Sequence, residues 1–179
     1  ALNNAKYDTT KLTIEYHLEE AKWNMNVSFW DSLAIRARAI SFDVIEANAL
    51  NNVGYIHEQN GNTELALTNY QKCIKIQEKI NDQAGIAQAY NNIGFLKDNQ
   101  GDIEGALIYY HKSLAIREVI DDKPGLAESY NNIGLIHVRQ GDFELALEYY
   151  EKSYNNDEQS DDKSGMAIAL NNIGRIHEK

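Results

Sequence analysis

Asn131-Asn132-Ile133-Gly134 stands in register with Asn51-Asn52-Val53-Gly54, Asn91-Asn92-Ile93-Gly94 and Asn171-Asn172-Ile173-Gly174, one copy every 40 residues. A fixed period of that length is the signature of stacked repeats, in which each unit buries its apolar face on its neighbours. The residues around the third copy read as helix. Ala127, Tyr130, Ile133, Gly134 and His137 fall at helical spacing. Gln140-Gly141-Asp142 then breaks the pattern, with Gly141 as a left-handed cap and Asp142 as the next N-cap. Phe143, Ala146, Leu147, Tyr150, Ser153 and Tyr154 form the stripe of a second helix. It runs to Asp161-Asp162-Lys163-Ser164-Gly165, where Asp162 can cap the helix that follows.

The other copies follow suit. The second gives Tyr90, Ile93 and Gly94, then Gln100-Gly101-Asp102, then Ile103, Ala106, Leu107, Tyr110 and Ser113. The first gives Leu50, Val53 and Gly54, then Asn60-Gly61-Asn62, then Ala66, Leu67, Tyr70 and Cys73. The fourth has only its first helix, through Gly174 and His177. No strand pattern appears, and Pro124 falls in a first helical turn, where proline is tolerated. Residues 1–41 read as a worn copy with candidate helices from Thr10 to Asn24 and from Ser28 to Ile40. Ser32-Leu33-Ala34-Ile35-Arg36 there matches Ser113-Leu114-Ala115-Ile116-Arg117, and Trp23, Phe29 and Trp30 supply the bulk expected of an end pair that caps a stack. The expected organisation is a capping helix pair at 1–41, repeats at 42–81, 82–121 and 122–161, and a lone first helix at 162–179, about nine helices in all.

Composition narrows the function classes. The 179 residues carry a net charge of −10, which argues against nucleic acid or an anionic membrane as the main partner. It suits basic peptides or proteins, or simple solubility. No apolar run is long enough to insert in a membrane. Cys73, the single cysteine, lies on an apolar stripe and reads as a packed thiol. The chain begins at Ala1 and stops inside a repeat, which reads as a piece of a longer protein; the compartment is left open, with the cytoplasm the first choice.

These residues resemble the tetratricopeptide repeat. With Gly134 as position eight, that family expects an aromatic or Leu at four, Leu at seven, Gly at eight, Tyr at eleven, Ala at twenty, an aromatic at twenty-four and Ala at twenty-seven. The chain gives Tyr130, Ile133, Gly134, His137, Ala146, Tyr150 and Ser153. It departs at position eleven, where His57, Lys97, His137 and His177 stand, and it lacks the family's usual proline near the end of the second helix. The unit is longer than the family's usual ~34 residues, as in kinesin light chains, Pins-type polarity adaptors and many bacterial regulators. The resemblance implies an all-α, right-handed superhelical solenoid of antiparallel helix pairs. It also implies a concave groove lined by the first helices, with Asn at position six against bound peptide.

The glycine and the asparagines of the motif ask for different explanations. A mid-helix glycine costs roughly 1 kcal/mol against alanine, and close approach of the second helix accounts for Gly54, Gly94, Gly134 and Gly174. Asparagine is also a middling helix former, ~0.5 kcal/mol worse than alanine. At 100° per residue, position six points away from the buried stripe, so Asn52, Asn92, Asn132 and Asn172 are expected as an exposed ladder. Asn91 and Asn131, at position five, lie on its flank. Amides pair with both the N–H and the C=O of a peptide backbone, so these residues are candidate peptide contacts. The alternative is that they bond to neighbouring repeats. Tyr55, Phe95, Leu135 and Arg175 at position nine face outward by the same angles and are candidate side-chain pockets. Arg139 and Arg175, with Lys179, would make a basic end suited to an acidic stretch of ligand.

The histidines at position eleven have no second His or Cys at ligand spacing, so no metal or other cofactor is expected. Asp121-Asp122 and Asp161-Asp162 lack the glycine and closing glutamate of a calcium loop. No nucleophile, phosphate-loop or paired-carboxylate pattern is present, so an enzyme is the least favoured class. The expected function is a scaffold that binds an extended peptide or partner protein. Two further readings stand beside it. One is the sensory segment of a larger bacterial signalling protein. The other is a structural module that self-associates through Leu170, Ile173 and Ile176 of the unpaired last helix.

Overall fold

The computed structural model describes residues 2–178, with side chains from Asp8 onward. Nine helices and no strand occur among the described residues: α1 (Leu2–Ala21), α2 (Val27–Ala39), α3 (Asp43–Gln59), α4 (Thr63–Ile80), α5 (Gln83–Asn99), α6 (Ile103–Ile120), α7 (Lys123–Gln140), α8 (Phe143–Gln159) and α9 (Lys163–His177). The described residues are all-α, and consecutive helices pack within each of two units. The first helix begins at Leu2, ahead of the Thr10 start that the apolar pattern suggested. No described helix is long and apolar enough to cross a membrane.

Local chemistry sets the boundaries. Gly61, Gly101 and Gly141 take positive φ after the first helix of each repeat, where other residues are strained. The second helices end differently, on Asn81, Asp121 and Asp161 in the same left-handed region, which short polar side chains tolerate. Asp102, Asp122 and Asp162 then cap the next helices, accepting from the backbone N–H of Gly105, Gly125 and Gly165 respectively. Asp142 occupies the N-cap position of α8 but makes no side-chain cap bond.

The chain divides into two compact units between Ala89 and Tyr90. In the first, α2 packs on α3 and α3 on α4. Its core joins Leu12 and Tyr16 of α1 with Trp30, Leu33, Leu50, Val53, Ile56 and Cys73. Cys73 is fully buried, and burial, with Asp82 adding to it, pushes its thiol up to about 12. Trp30 is core as expected, but Trp23 is 79% exposed and contributes nothing to the cap.

In the second unit, α6 packs on α7, α7 on α8 and α8 on α9. Tyr110, Leu114, Leu126, Ile133 and Ile136 make one cluster, and Ala146, Tyr150 and Ile176 another. The motif glycine does what its position demands. A Cβ on Gly94 would lie 2.7 Å from the Tyr110 ring, and one on Gly134 would lie 2.7 Å from the Tyr150 ring. Within the first unit, Gly54 stands in the same relation to Tyr70. Gly174 differs: a Cβ there meets nothing within 4 Å. The expected exposure of Ile173 and Ile176 on α9 does not hold. Ile176 is 9% exposed and Ile173 is partly buried, because both pack toward Tyr150 and Ala146 of α8; Leu170 alone of the three stays exposed.

Candidate functional site

Position nine of the first helices is the most regular exposed feature. Tyr55 on α3 is 39% exposed, Phe95 on α5 is 43% and Leu135 on α7 is 40%. Each is flanked by buried residues, with Gly before it and Ile or Leu after it. The helical turn that buries positions seven, eight and ten therefore forces position nine outward. Arg175 holds the same position on α9 and is exposed. With Asn172 and Leu135 it borders a small cleft of about 60 Å³ over Tyr150.

The asparagines are half-buried rather than fully exposed, and packing gives them work. Asn132 donates an amide proton to the carbonyl oxygen of Asn91 at 2.9 Å, and Asn172 donates to Asn131 at 3.3 Å. Both bonds join residues 41 apart, position six of one repeat to position five of the repeat before it. Asn91 is 4% exposed and donates onward to Glu128 Oε1 at 2.9 Å. Asn131 donates to Ser153 Oγ at 2.8 Å and to the Ala127 carbonyl at 3.1 Å. The expected exposed ladder is thus corrected toward the alternative: Asn132 and Asn172 each tie their first helix to the preceding one. Asn132 is not used up. One amide proton and the carbonyl oxygen of Asn132 have no partner among the described residues. Asn92 is half-buried and is itself partnered.

The basic end is corrected as well. Arg139 pairs with Asp98, again across 41 residues, and Asp98 is 5% exposed. That guanidinium is held by a buried carboxylate, with 47% of the Arg139 side chain exposed. Lys179 lies outside the described residues, which leaves Arg175 as the exposed basic residue at position nine.

Position eleven also has a structural account. Lys97 pairs with Asp102 at 3.0 Å, and His137 stacks on Tyr149 with ring centroids 5.6 Å apart. Among the described residues no three His, Cys, Asp or Glu side chains gather as a metal site.

In the first unit the asparagine has different surroundings. Asn52 lies beside the Tyr16 hydroxyl, which donates to Glu20. Burial raises the Tyr16 phenol, and the neighbouring Glu20 raises it further, so it stays a donor. Asn52 and Tyr55 open on a cavity of about 190 Å³ that Glu20, Trp23, Met25 and Ile56 help to line. Glu20, Met25 and Asp98 did not stand out in the sequence. Met25 lies two residues beyond Trp23 in a polar turn, which was the one signal available. Asp98 has none, because its role depends on an arginine 41 residues away.

A profile of the tetratricopeptide repeat matches residues 45–118, 85–159 and 126–179. No curated protein sequence matches the chain. Solved structures do. The chain is similar to aspartyl phosphate phosphatase F from Bacillus subtilis, at 19% identity and a TM-score of 0.74, over 94% of this chain and 44% of that one. It is similar to BtubC (BKLC) from P. vanneervenii, at 14% identity and a TM-score of 0.68, over 95% and 80%. The apo form of RapI is similar at 21% identity and a TM-score of 0.70, over 93% and 60%. The chain spans under half the length of the first of these proteins, and likeness at such identities is likeness of fold. The profile matches run from residue 45 to the end, through each of the glycine–tyrosine helix pairs: the chain belongs to the tetratricopeptide-repeat family.

Proposed function

We propose that this protein–protein interaction module binds extended peptide of its partner, within each compact unit, on the faces of the first helices that carry positions six and nine. The observation that supports it most is the recurrence of a large apolar side chain, Tyr55, Phe95 and Leu135, at one exposed position in three repeats. A solvated surface has no need of an apolar residue there three times over, whereas such residues dominate binding energy when a partner covers them. The unsatisfied side of Asn132 lies three residues from Leu135, less than one helical turn. It can pair with a peptide backbone beside the apolar contact. The role is non-catalytic. Selection from a random peptide library, followed by amide chemical-shift mapping on the protein, tests it. Shifts centred on Phe95, Asn132 and Leu135 are expected, and shifts confined to the second helices refute it.

A second reading, a regulatory segment of a larger signalling protein, draws on the length relation: the chain covers 44% of aspartyl phosphate phosphatase F and 60% of RapI. The complete reading frame tests it, since a frame with no further domain removes the idea.

A further inference from the structure

We propose that the cavity between the α1–α2 turn and α3 is a subsite for one basic side chain, arginine or lysine, of the bound segment. The proposal rests on the peptide-binding reading above and adds the chemistry of one ligand residue. Several observations lead to it. The volume, about 190 Å³, is below the ~300–1,000 Å³ of small-molecule sites and suits a single side chain. Its walls carry large apolar side chains in an exposed place, two of them aromatic: Trp23 is 79% exposed, Tyr55 39% and Met25 48%.

The turn that presents Trp23 is firmly built. Trp23 N–H donates to the Glu20 carbonyl at 3.0 Å, Asn24 N–H to the Glu19 carbonyl at 3.1 Å, and Trp30 Nε1 to the Asn24 carbonyl at 2.7 Å. Trp23 itself sits at φ 51, a left-handed conformation that bulky residues rarely adopt. That backbone would be easier to build with glycine, yet the residue there carries an indole that is 79% exposed.

Charge chooses the occupant. The polar end of the cavity is Glu20, and no lining residue is basic. Glu20 is half exposed; one oxygen takes the Tyr16 hydroxyl, and the other lies 3.6 Å from His17 Nδ1, beside a ring that is itself 67% exposed. An aromatic or aliphatic occupant would cover this carboxylate without pairing it, which costs free energy. An acidic one would meet repulsion from Glu20 and from a chain of net charge −10. A cation pairs with Glu20 and rests against the ring faces of Trp23 and Tyr55, which attract positive charge.

The two tryptophans give two indole N–H resonances, and only Trp23 is exposed. The test titrates the 15N-labelled chain with acetyl-arginine amide, acetyl-phenylalanine amide and acetyl-glutamate amide. The arginine probe is expected to move the Trp23 indole signal saturably at millimolar concentration. Glu20→Gln, which keeps the Tyr16 acceptor, is expected to weaken it about tenfold, and Tyr55→Leu several-fold, both at unchanged melting temperature. If Glu20→Gln unfolds the chain, Tyr55→Leu decides alone. An equal or larger response to the phenylalanine probe overturns the proposal, as does no response to arginine or an undiminished response in the variants. A library-selected peptide that lacks basic residues yet moves Trp23 also overturns it while leaving the peptide-binding reading intact. Failure of that reading instead shows as the absence of any selected peptide alongside an intact arginine response.

Discussion

Asn132 on α7 reaches back to Asn91 on α5 and donates to its carbonyl oxygen at 2.9 Å, so the asparagine pair of one repeat is completed by the pair of the repeat before it. Asn91 is 4% exposed and spends its own donor on Glu128. A buried amide with both ends engaged is stabilising only while every partner is present. A double-mutant cycle on Asn91→Ala and Asn132→Ala should therefore give a coupling of about 0.5–1.5 kcal/mol in urea unfolding. Additive single effects would mean that the bond carries no stability.

The glycines supply a sharper contrast. A Cβ at Gly94 or Gly134 lands 2.7 Å from a ring carbon of a tyrosine that is 2% exposed. The ~1 kcal/mol gained in helix propensity is outweighed by overpacking of about 1–3 kcal/mol. Gly94→Ala and Gly134→Ala should lower the melting temperature. Gly174→Ala has open space and should raise stability by up to about 1 kcal/mol. Identical effects at Gly134 and Gly174 would refute the packing account.

How far the sequence reveals the structure depends on the range of each interaction. The glycine, the Ala66, Ala106 and Ala146 series and the Tyr70, Tyr110 and Tyr150 series were legible because a 40-residue period repeats one local packing problem, and all six side chains are at most 2% exposed. The outward turn of Tyr55, Phe95 and Leu135 follows from helix geometry alone and was legible too. Asn132 was expected on the exposed face, with bonding to a neighbouring repeat only as the alternative, because angle counting on one helix cannot see the next; it is half-buried and bonds to Asn91. Arg139 was read as a free cation for the same reason: Asp98 reaches it across 41 residues. Trp23 was read as core bulk because composition does not say that it falls in a turn, at φ 51, where its ring is 79% exposed.

Gln77, Arg117 and Asp157 occupy one repeat position, and each is buried. The terminal nitrogens of Arg117 donate to the Gly125 carbonyl at 2.6 Å, Ser129 at 3.0 Å and Glu128 at 2.9 Å, and its Nε lies 3.6 Å from Asp122. Asp157 lacks such a set: its Oδ2 has no hydrogen-bond partner among the described residues. Burial, with Asp162 beside it, raises its carboxyl above the ordinary range, against the pull of Asn156 and Ser153. A raised folded value means that stability is fully present below the unfolded value of ~3.9 and is lost as pH rises through the folded value. Asp157→Asn should therefore raise the melting temperature at neutral pH, with the gain shrinking on acidification toward about pH 4. Thermal melts across that range check it; a gain that persists undiminished in acid would contradict the carboxylate explanation.

The most direct measurement of the central claim is calorimetric affinity for a library-selected peptide, compared between the natural chain and the Phe95→Ala, Leu135→Ala double variant. Both side chains are more than a third exposed, so melting temperature should hold, while affinity should fall by at least about tenfold if each contributes ~1 kcal/mol or more as a binding anchor. Unchanged affinity, with the fold intact, would place the ligand elsewhere and contradict the account.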